Sequence, residues 1–302
     1  MRKFIVGDLH GNGNVYTSIM SYLDNVSKRD EIILYINGDL IDRGPDSVDM
    51  LLDIKRRIEE NNYKIIYLAG NHELMMYQTF LKRMKGITTY RDLWFINGGT
   101  ITDKQLTKKL KSKEEILEVV DFISNLKLYY KFEEKIKDKR IVLVHASCPL
   151  EVKDECDLRI KDNNDIVEWS VWTREYDPCI PFRGRIGSKD YFSIVGHTYN
   201  YSKYGYEYNK RENYLNIDGG SGQYVSGLFE LDHVPLVEIN NDYLKILTFN
   251  NNNEIVYGNY FANDVSTPLT LEELDKERNM LDKNFIPRKL VITRNGNIKY
   301  GG

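Results

Sequence analysis

Near its start the chain repeats one pattern three times. A short apolar run rich in β-branched residues passes into a polar turn containing glycine, and then into apolar positions spaced three and four apart. The first run, Phe4, Ile5 and Val6, ends in Gly7, Asp8, Leu9, His10 and Gly11. A helix is expected over 15–23, capped by Asn14, with Ile19, Tyr22 and Leu23 on one face. The second run, 31–36, ends in Asn37, Gly38, Asp39, Leu40, Ile41, Asp42, Arg43 and Gly44. Pro45 suits the first turn of a helix that Val48, Leu51, Leu52, Lys55 and Ile58 continue. The third run, 63–68, leads to Gly70, Asn71, His72 and Glu73, and Leu74 reads as the start of a helix. Such alternation predicts βαβ units. The polar turns then lie at strand carboxyl ends, where open α/β sheets bind ligands.

The pattern changes over 84–130, which reads as a helical insertion containing Asn97, Gly98 and Gly99, with a helix over 113–126. Buried-strand runs return at 140–144, ending in His145 and Ala146, and at 191–195, ending in Gly196, His197 and Thr198. Between them, 165–176 carries Trp169, Trp172 and Arg174. The run 214–217 ends in Asp218, and the runs 228–231 and 236–239 read as a closing antiparallel meander. Two domains follow as an expectation: a catalytic unit over 1–239 and a carboxyl-terminal extension over 240–302. The extension reads as a hairpin across 244–257, a capping box at Thr270 and Glu273, and a second hairpin around Asn295 and Gly296. No catalytic constellation is read there.

Composition narrows the partners. The 302 residues are 41% hydrophobic and 29% charged with a net charge of −3, which gives no global attraction to a nucleic acid polymer or an anionic membrane. The three cysteines, Cys148, Cys156 and Cys179, have no paired zinc spacing, and their odd number argues against a disulfide framework. With no signal-peptide pattern and no apolar run of bilayer length, the expected location is cytoplasmic.

The chemistry sits in the strand-end turns: Asp8, His10, Asp39, Asn71, His145 and His197. Singly, each has a plain structural reading as a hydrogen-bonded histidine or a turn-forming aspartate or asparagine. Together they do not scatter. Four of the five histidines follow an apolar run directly or lie within its polar turn, His233 being the exception. Mixed carboxylate, amide and imidazole donors suit divalent Mn, Fe or Zn, and a carboxylate shared by two cations, best supplied by Asp39, would hold them close enough to clamp one phosphoryl group.

The blocks Gly7–Gly11, Gly38–Gly44 and Gly70–Glu73 resemble the three signature blocks of the phosphoprotein phosphatase (PPP) branch of metallophosphoesterases, and are most similar to the bacteriophage lambda-type Ser/Thr protein phosphatases and their bacterial relatives. His145 with Ala146, and Gly196 with His197 and Thr198, resemble the branch's two later histidine blocks. Glu73–Met76, Asn97–Gly99, Trp172–Glu175 and Ile217–Gly219 add to the likeness, which covers about residues 1–232. It implies an α/β (α+β) fold, a sandwich of two mixed β-sheets flanked by helices, with a dinuclear centre at its edge. It further implies that Asp8 and His10 hold one cation, that Asn71, His145 and His197 hold the other, and that Asp39 bridges them. The cations implied are divalent, Mn foremost, with Fe, Zn or Ni as alternatives. Water activated between them would attack phosphorus in line. His72 resembles the branch's general acid, oriented by Asp42, and Arg43 and Asn71 would bind substrate phosphate. Arg174 is a candidate second clamp. Ala69 departs from the pattern, because many relatives place a phosphate-binding arginine just before the third block; Arg174, Arg183 or Arg185 would have to compensate. The activity implied is phosphomonoester hydrolysis, on phosphoserine, phosphothreonine or phosphotyrosine in a protein or on a small phosphoester. The alternatives are a symmetrical dinucleoside tetraphosphate hydrolase or other nucleotide phosphatase, and a non-catalytic phosphate-binding module.

Overall fold

The structure, a computed structural model, describes residues 1–87, 92–149, 164–174, 190–209, 213–228, 233–262, 265–281, 289–292 and 298–301. In chain order the elements are β1 (Arg2–Val6), α1 (Gly13–Ser27), β2 (Ile32–Ile36), α2 (Ser47–Glu60), β3 (Lys64–Tyr67) and α3 (Asn71–Met84). After a kinked turn, Phe95–Gly99, come α4 (Thr100–Lys109), α5 (Lys113–Ser124), β4 (Tyr129–Ile136), β5 (Lys139–Val144) and α6 (Asn164–Val171). Then follow β6 (Tyr191–Val195), β7 (Glu207–Asn209), β8 (Tyr214–Asn216), α7 (Ser221–Val225), β9 (Val234–Ile239) and β10 (Leu244–Phe249). The last are β11 (Ile255–Ala262), β12 (Val265–Pro268), α8 (Leu271–Arg278), β13 (Lys289–Ile292) and β14 (Ile298–Gly301).

Two mixed sheets form a sandwich. Seven strands run in the order β12-β11-β10-β9-β1-β2-β3, and five in the order β4-β5-β6-β8-β7. As the repeated pattern predicts, β1, β2 and β3 are parallel, and so are β5, β6 and β8. Alternation along each strand divides the core. Phe4, Val6, Leu34 and Ile36 join the layer containing Val15, Ile19, Leu23 and Leu51 of the helices, while Ile5, Ile33 and Tyr35 join Phe132, Ile141, Leu143 and Phe192 of the other sheet. Tyr35 and Phe132 are buried with ring centroids 4.7 Å apart, and full burial of an aromatic side chain of this size contributes about 1.5–3 kcal/mol. Among the described residues no helix is long and apolar enough to cross a membrane.

Several local expectations shift. Asn12, not Asn14, caps α1, its side chain accepting the Val15 N–H at 3.5 Å. Helix α2 starts at Ser47, two residues past Pro45, because Asp42 and Arg43 adopt left-handed backbone and the Asp46 N–H is held by the Gly11 carbonyl at 3.1 Å. Helix α3 begins at Asn71, so the tetrapeptide forms its first turn. Among the described residues of the 84–130 insertion, α4 and α5 are helical, and at its end β4 starts at Tyr129. Of the closing meander, 229–232 lie outside the described residues and Leu228 is exposed in a turn; β9 pairs antiparallel with β1 instead. The expected boundary at 239/240 falls between β9 and β10, neighbours in one sheet, so the extension begins as part of that sheet. Strands β13 and β14 pair antiparallel, and Asn295 and Gly296 lie outside the described residues.

Candidate metal centre

Parallel pairing of β1, β2 and β3 brings the turns bearing Asp8, His10, Asp39 and Asn71 to one edge of the larger sheet. The smaller sheet does the same with His145 and His197, which follow β5 and β6. The edges are tied together. Asn37 donates to the Val144 carbonyl at 3.1 Å, and the His197 N–H donates to the Asp8 carboxylate at 3.1 Å. All six strand-end residues are buried. His10, Asp39, Asp42, Arg43 and His197 have φ between 48° and 73°. Such left-handed non-glycine backbone costs on the order of 1–3 kcal/mol per residue and persists where its surroundings over-determine it, as they do at functional sites.

Glu73 supplies much of that determination. Its fully buried carboxylate accepts the N–H groups of Asp39 (2.9 Å), Leu40 (3.1 Å) and Gly70 (2.8 Å) and the Tyr67 hydroxyl (2.7 Å). It thus locks the turn carrying Asp39 against the turn carrying Asn71, and the His72 N–H completes the lock by donating to Asp39 Oδ1 at 3.1 Å.

Each strand-end histidine has one ring nitrogen tied to a backbone carbonyl. His10 Nδ1 donates to Ile41 (3.1 Å), His145 Nδ1 to Asn37 (2.7 Å), and His197 Nε2 to Trp172 (3.2 Å). A carbonyl only accepts, so these contacts assign the proton and turn the other nitrogen's lone pair inward. His145 Nε2 and His197 Nδ1 then face the side-chain oxygen Asn71 Oδ1 at 3.2 and 2.9 Å, and His145 Nε2 lies 3.4 Å from Asp39 Oδ1. Acceptors pointed at one another need a cation or a proton between them. Two donor groups of this size exist among the described residues: His10, Asp39 and His72, and Asp39, His145 and His197, with the donor atoms of each group within 4.8 Å of one another. Asp39 belongs to both. The residues therefore fit a pair of divalent cations sharing one carboxylate. Asp8, expected as a ligand, belongs to neither group; its carboxylate is turned to the His197 N–H.

The electrostatics agree. Burial opposes ionisation of Asp39, but His145 and His72 outweigh it and hold its carboxyl well below the usual range. Burial likewise opposes charge on His145, yet Asp39 and Asp8 push its pKa up to about 10, so a proton and a cation compete for Nε2. His10 is lowered by burial, then by Arg43 and His72, and His197 by burial, then by His145 and Arg174; both therefore favour the neutral, ligating form. Burial and the neighbouring Asp218 raise Asp8.

The remaining expected residues gather at one side. His72 Nδ1 lies 2.7 Å from Asp42 Oδ2. The Arg43 guanidinium spans the centre, Nη1 at 3.3 Å from His10 Nε2 and Nη2 at 3.1 Å from His72 Nε2. Arg174, exposed, donates to the His197 carbonyl (3.4 Å) and to Thr198 Oγ1 (3.2 Å) on the rim. Ala69 is fully buried in the apolar core, while Arg183 and Arg185 lie outside the described residues. Asp218 acts in a turn, accepting the Gly220 N–H at 3.0 Å. Cys148 is buried, bonds to the Pro149 carbonyl and belongs to neither donor group. Sequence reasoning assigned no role to Glu73, Trp94 or Thr102, although the last two both donate to Asp42. A glutamate three residues into a helix is a capping signal that could have found the first; nothing local connects the other two to Asp42.

Comparison with known proteins places this geometry in context. The chain is 29% identical over 196 residues to serine/threonine-protein phosphatase 1 of Salmonella typhimurium, which covers 65% of this chain and 77% of that protein. It is 26% identical over 152 residues to a symmetrical bis(5'-nucleosyl)-tetraphosphatase of Wigglesworthia glossinidia brevipalpis, covering 48% of this chain and 44% of that protein, so it spans less than half the length of that relative. A solved serine/threonine phosphatase from Saccharomyces cerevisiae aligns over 78% of this chain and 72% of its own, with a TM-score of 0.48 and 15% identity. Residues 1–219, including every strand-end donor, match the model of the calcineurin-like phosphoesterases, and the chain belongs to that family.

Proposed function

We propose that the protein is a metal-dependent phosphomonoesterase of the phosphoprotein phosphatase type. The observation that carries the reading is the set of inward-facing acceptors converging on Asp39 from both sheets. In this reading Asp8 and His10 would hold one divalent cation, Asn71, His145 and His197 would hold the second, and both would share Asp39. The cations, manganese foremost, supply Lewis-acid activation of water and neutralise phosphoryl charge when bound. Arg43 and Asn71 bind phosphoryl oxygens, and Arg174 meets them from the rim; a guanidinium fork matches such oxygens in pairs. Its place beside His197 makes Arg174 the candidate to compensate for Ala69. As the bond from phosphorus to the leaving oxygen breaks, His72 Nε2 delivers a proton to that oxygen, while Asp42 keeps the Nδ1 hydrogen and the ring's direction. The substrate is a phosphorylated serine, threonine or tyrosine side chain or a small phosphoester.

A second reading, hydrolysis of a symmetrical dinucleoside tetraphosphate, is supported by the tetraphosphatase likeness and by Tyr199 and Tyr201. Their ring centroids lie 4.5 Å apart just after His197, a surface on which a base could stack.

The test compares the wild type with Asp39→Asn for metal content and for turnover of p-nitrophenyl phosphate, phosphopeptides and dinucleoside tetraphosphates with Mn²⁺. The wild type should hold two cations per chain and favour phosphopeptides, and the variant should lose both cations and most turnover. Two tightly held cations in a fully active Asp39→Asn protein would refute the bridge, and preference for the dinucleoside substrate would select the second reading.

A further inference from the structure

The helical insertion sends one stretch, 92–102, under the acid side of the centre. Trp94, fully buried, donates Nε1–H to Asp42 Oδ2 at 2.8 Å, and Thr102, fully buried, donates its hydroxyl to Asp42 Oδ1. With His72 Nδ1 at 2.7 Å, both oxygens of Asp42 are filled by donors, two of the three coming from the insertion. The carboxylate cannot rotate without breaking one of them. The backbone of the same stretch seats the next residue. Gly98, at φ +102°, offers its carbonyl to the Arg43 N–H at 3.4 Å, and a Cβ on it would stand 2.8 Å from Arg43 Cγ. Gly99 lies against the Trp94 indole so closely that a Cβ would fall 2.4 Å from two of its atoms. Asp42 and Arg43 are two consecutive left-handed residues, a conformation that needs outside support. Between Trp94 and Thr102 the backbone kinks at Asn97 and Gly98, whose dihedrals are not helical.

We propose that Trp94 and Thr102 are positioning residues for proton transfer, making the helical insertion part of the acid machinery. They clamp Asp42 so that it accepts from His72 Nδ1 and directs Nε2 at the leaving oxygen. The proposal rests on the reading of His72 as the general acid. Its consequence is selective: a leaving group that needs a proton feels the clamp, and one that departs as a stable anion does not.

The experiment measures kcat and KM for a phosphoserine peptide and for p-nitrophenyl phosphate, with bound metal and thermal midpoint, in the Mn²⁺-loaded full chain. The variants are Thr102→Val, Thr102→Ser, Trp94→Phe and, as reference, His72→Asn. A general acid contributes about 10²–10⁴-fold. His72→Asn should therefore raise the ratio of kcat on nitrophenyl phosphate to kcat on phosphoserine by that order. Thr102→Val and Trp94→Phe should each raise it about tenfold, with metal content and KM held, and Thr102→Ser should restore it. A merely structural role lowers both substrates together and leaves the ratio unmoved. If the ratio moves in His72→Asn but in neither clamp variant, the clamp is wrong and the acid assignment stands. If it does not move in His72→Asn, the acid assignment fails and takes the clamp with it. Should Trp94→Phe not fold, the Thr102 pair decides alone.

Discussion

Glu73→Gln tests whether one side chain outside the donor set holds the two principal turns together. The substitution preserves shape and replaces one acceptor oxygen with a donating NH₂ group. Wild-type Glu73 takes four donors, Asp39 and Gly70 N–H on Oε2 and Leu40 N–H and Tyr67 O–H on Oε1. Burial and the Asp39 carboxylate raise its pKa, while Tyr67 and the peptide donors pull the other way, and four donors with no acceptor suit the ionised form. Whichever way the glutamine amide is turned, two donors face an NH₂ group. Hydrogen bonds to charged groups contribute about 1.5–3 kcal/mol each, so the expected loss is about 3–6 kcal/mol. At about 2 °C per kcal/mol for a chain of this size, the thermal midpoint should fall on the order of 10 °C. The separation of Asp39 from Asn71 should also weaken metal binding, read by calorimetric Mn²⁺ titration below the midpoint. A midpoint within about 1 °C of wild type, with unchanged Mn²⁺ affinity, would refute the claim that Glu73 joins the turns.

Two further outcomes are expected. Arg174→Ala should raise KM for phosphopeptides by about 5–20-fold while kcat changes little, since an exposed charge-assisted contact is worth roughly 1–2 kcal/mol; loss of bound metal instead would make Arg174 a support for His197. Glu238 lies in a chain of ion pairs, Arg2–Glu238 at 2.7 Å, Glu238–Lys245 at 3.2 Å and Lys245–Glu277 at 2.7 Å, that pins α8 to the sheet. Burial opposes its charge, but Arg2 and Lys245 hold its carboxyl below the ordinary 4.5. Its contribution is therefore complete above pH 4.5 and is lost as pH falls through the lower folded value. The stability gap between wild type and Glu238→Gln in urea titrations should narrow below pH 4.5, and a gap constant with pH would contradict this.

What the sequence determined by itself was local: the strand–turn–helix repeats, the helical insertion, and the residue types collected at strand ends. Apolar period and turn chemistry act over a few residues, so β1, β2, β3, β5 and β6 were legible without any tertiary contact. The family likeness rested on the same short blocks. Tertiary structure decided whatever depends on distant partners. The meeting of the two sheet edges, through Asn37 with Val144 and Asp8 with His197, joins residues 107 and 189 positions apart. Which nitrogen of each histidine faces inward is set by the carbonyls of Ile41, Asn37 and Trp172, and no residue pattern encodes that choice. Strands β10, β11 and β12 read as an appendage because a hairpin carries no local mark of the sheet it will join, and only pairing with β9 places them in the larger one. Ala69 reads as a missing arginine in sequence, whereas burial in the core shows a position already closed by packing. Trp94 and Thr102 reach Asp42 from 52 and 60 residues away, a distance that only the folded insertion spans.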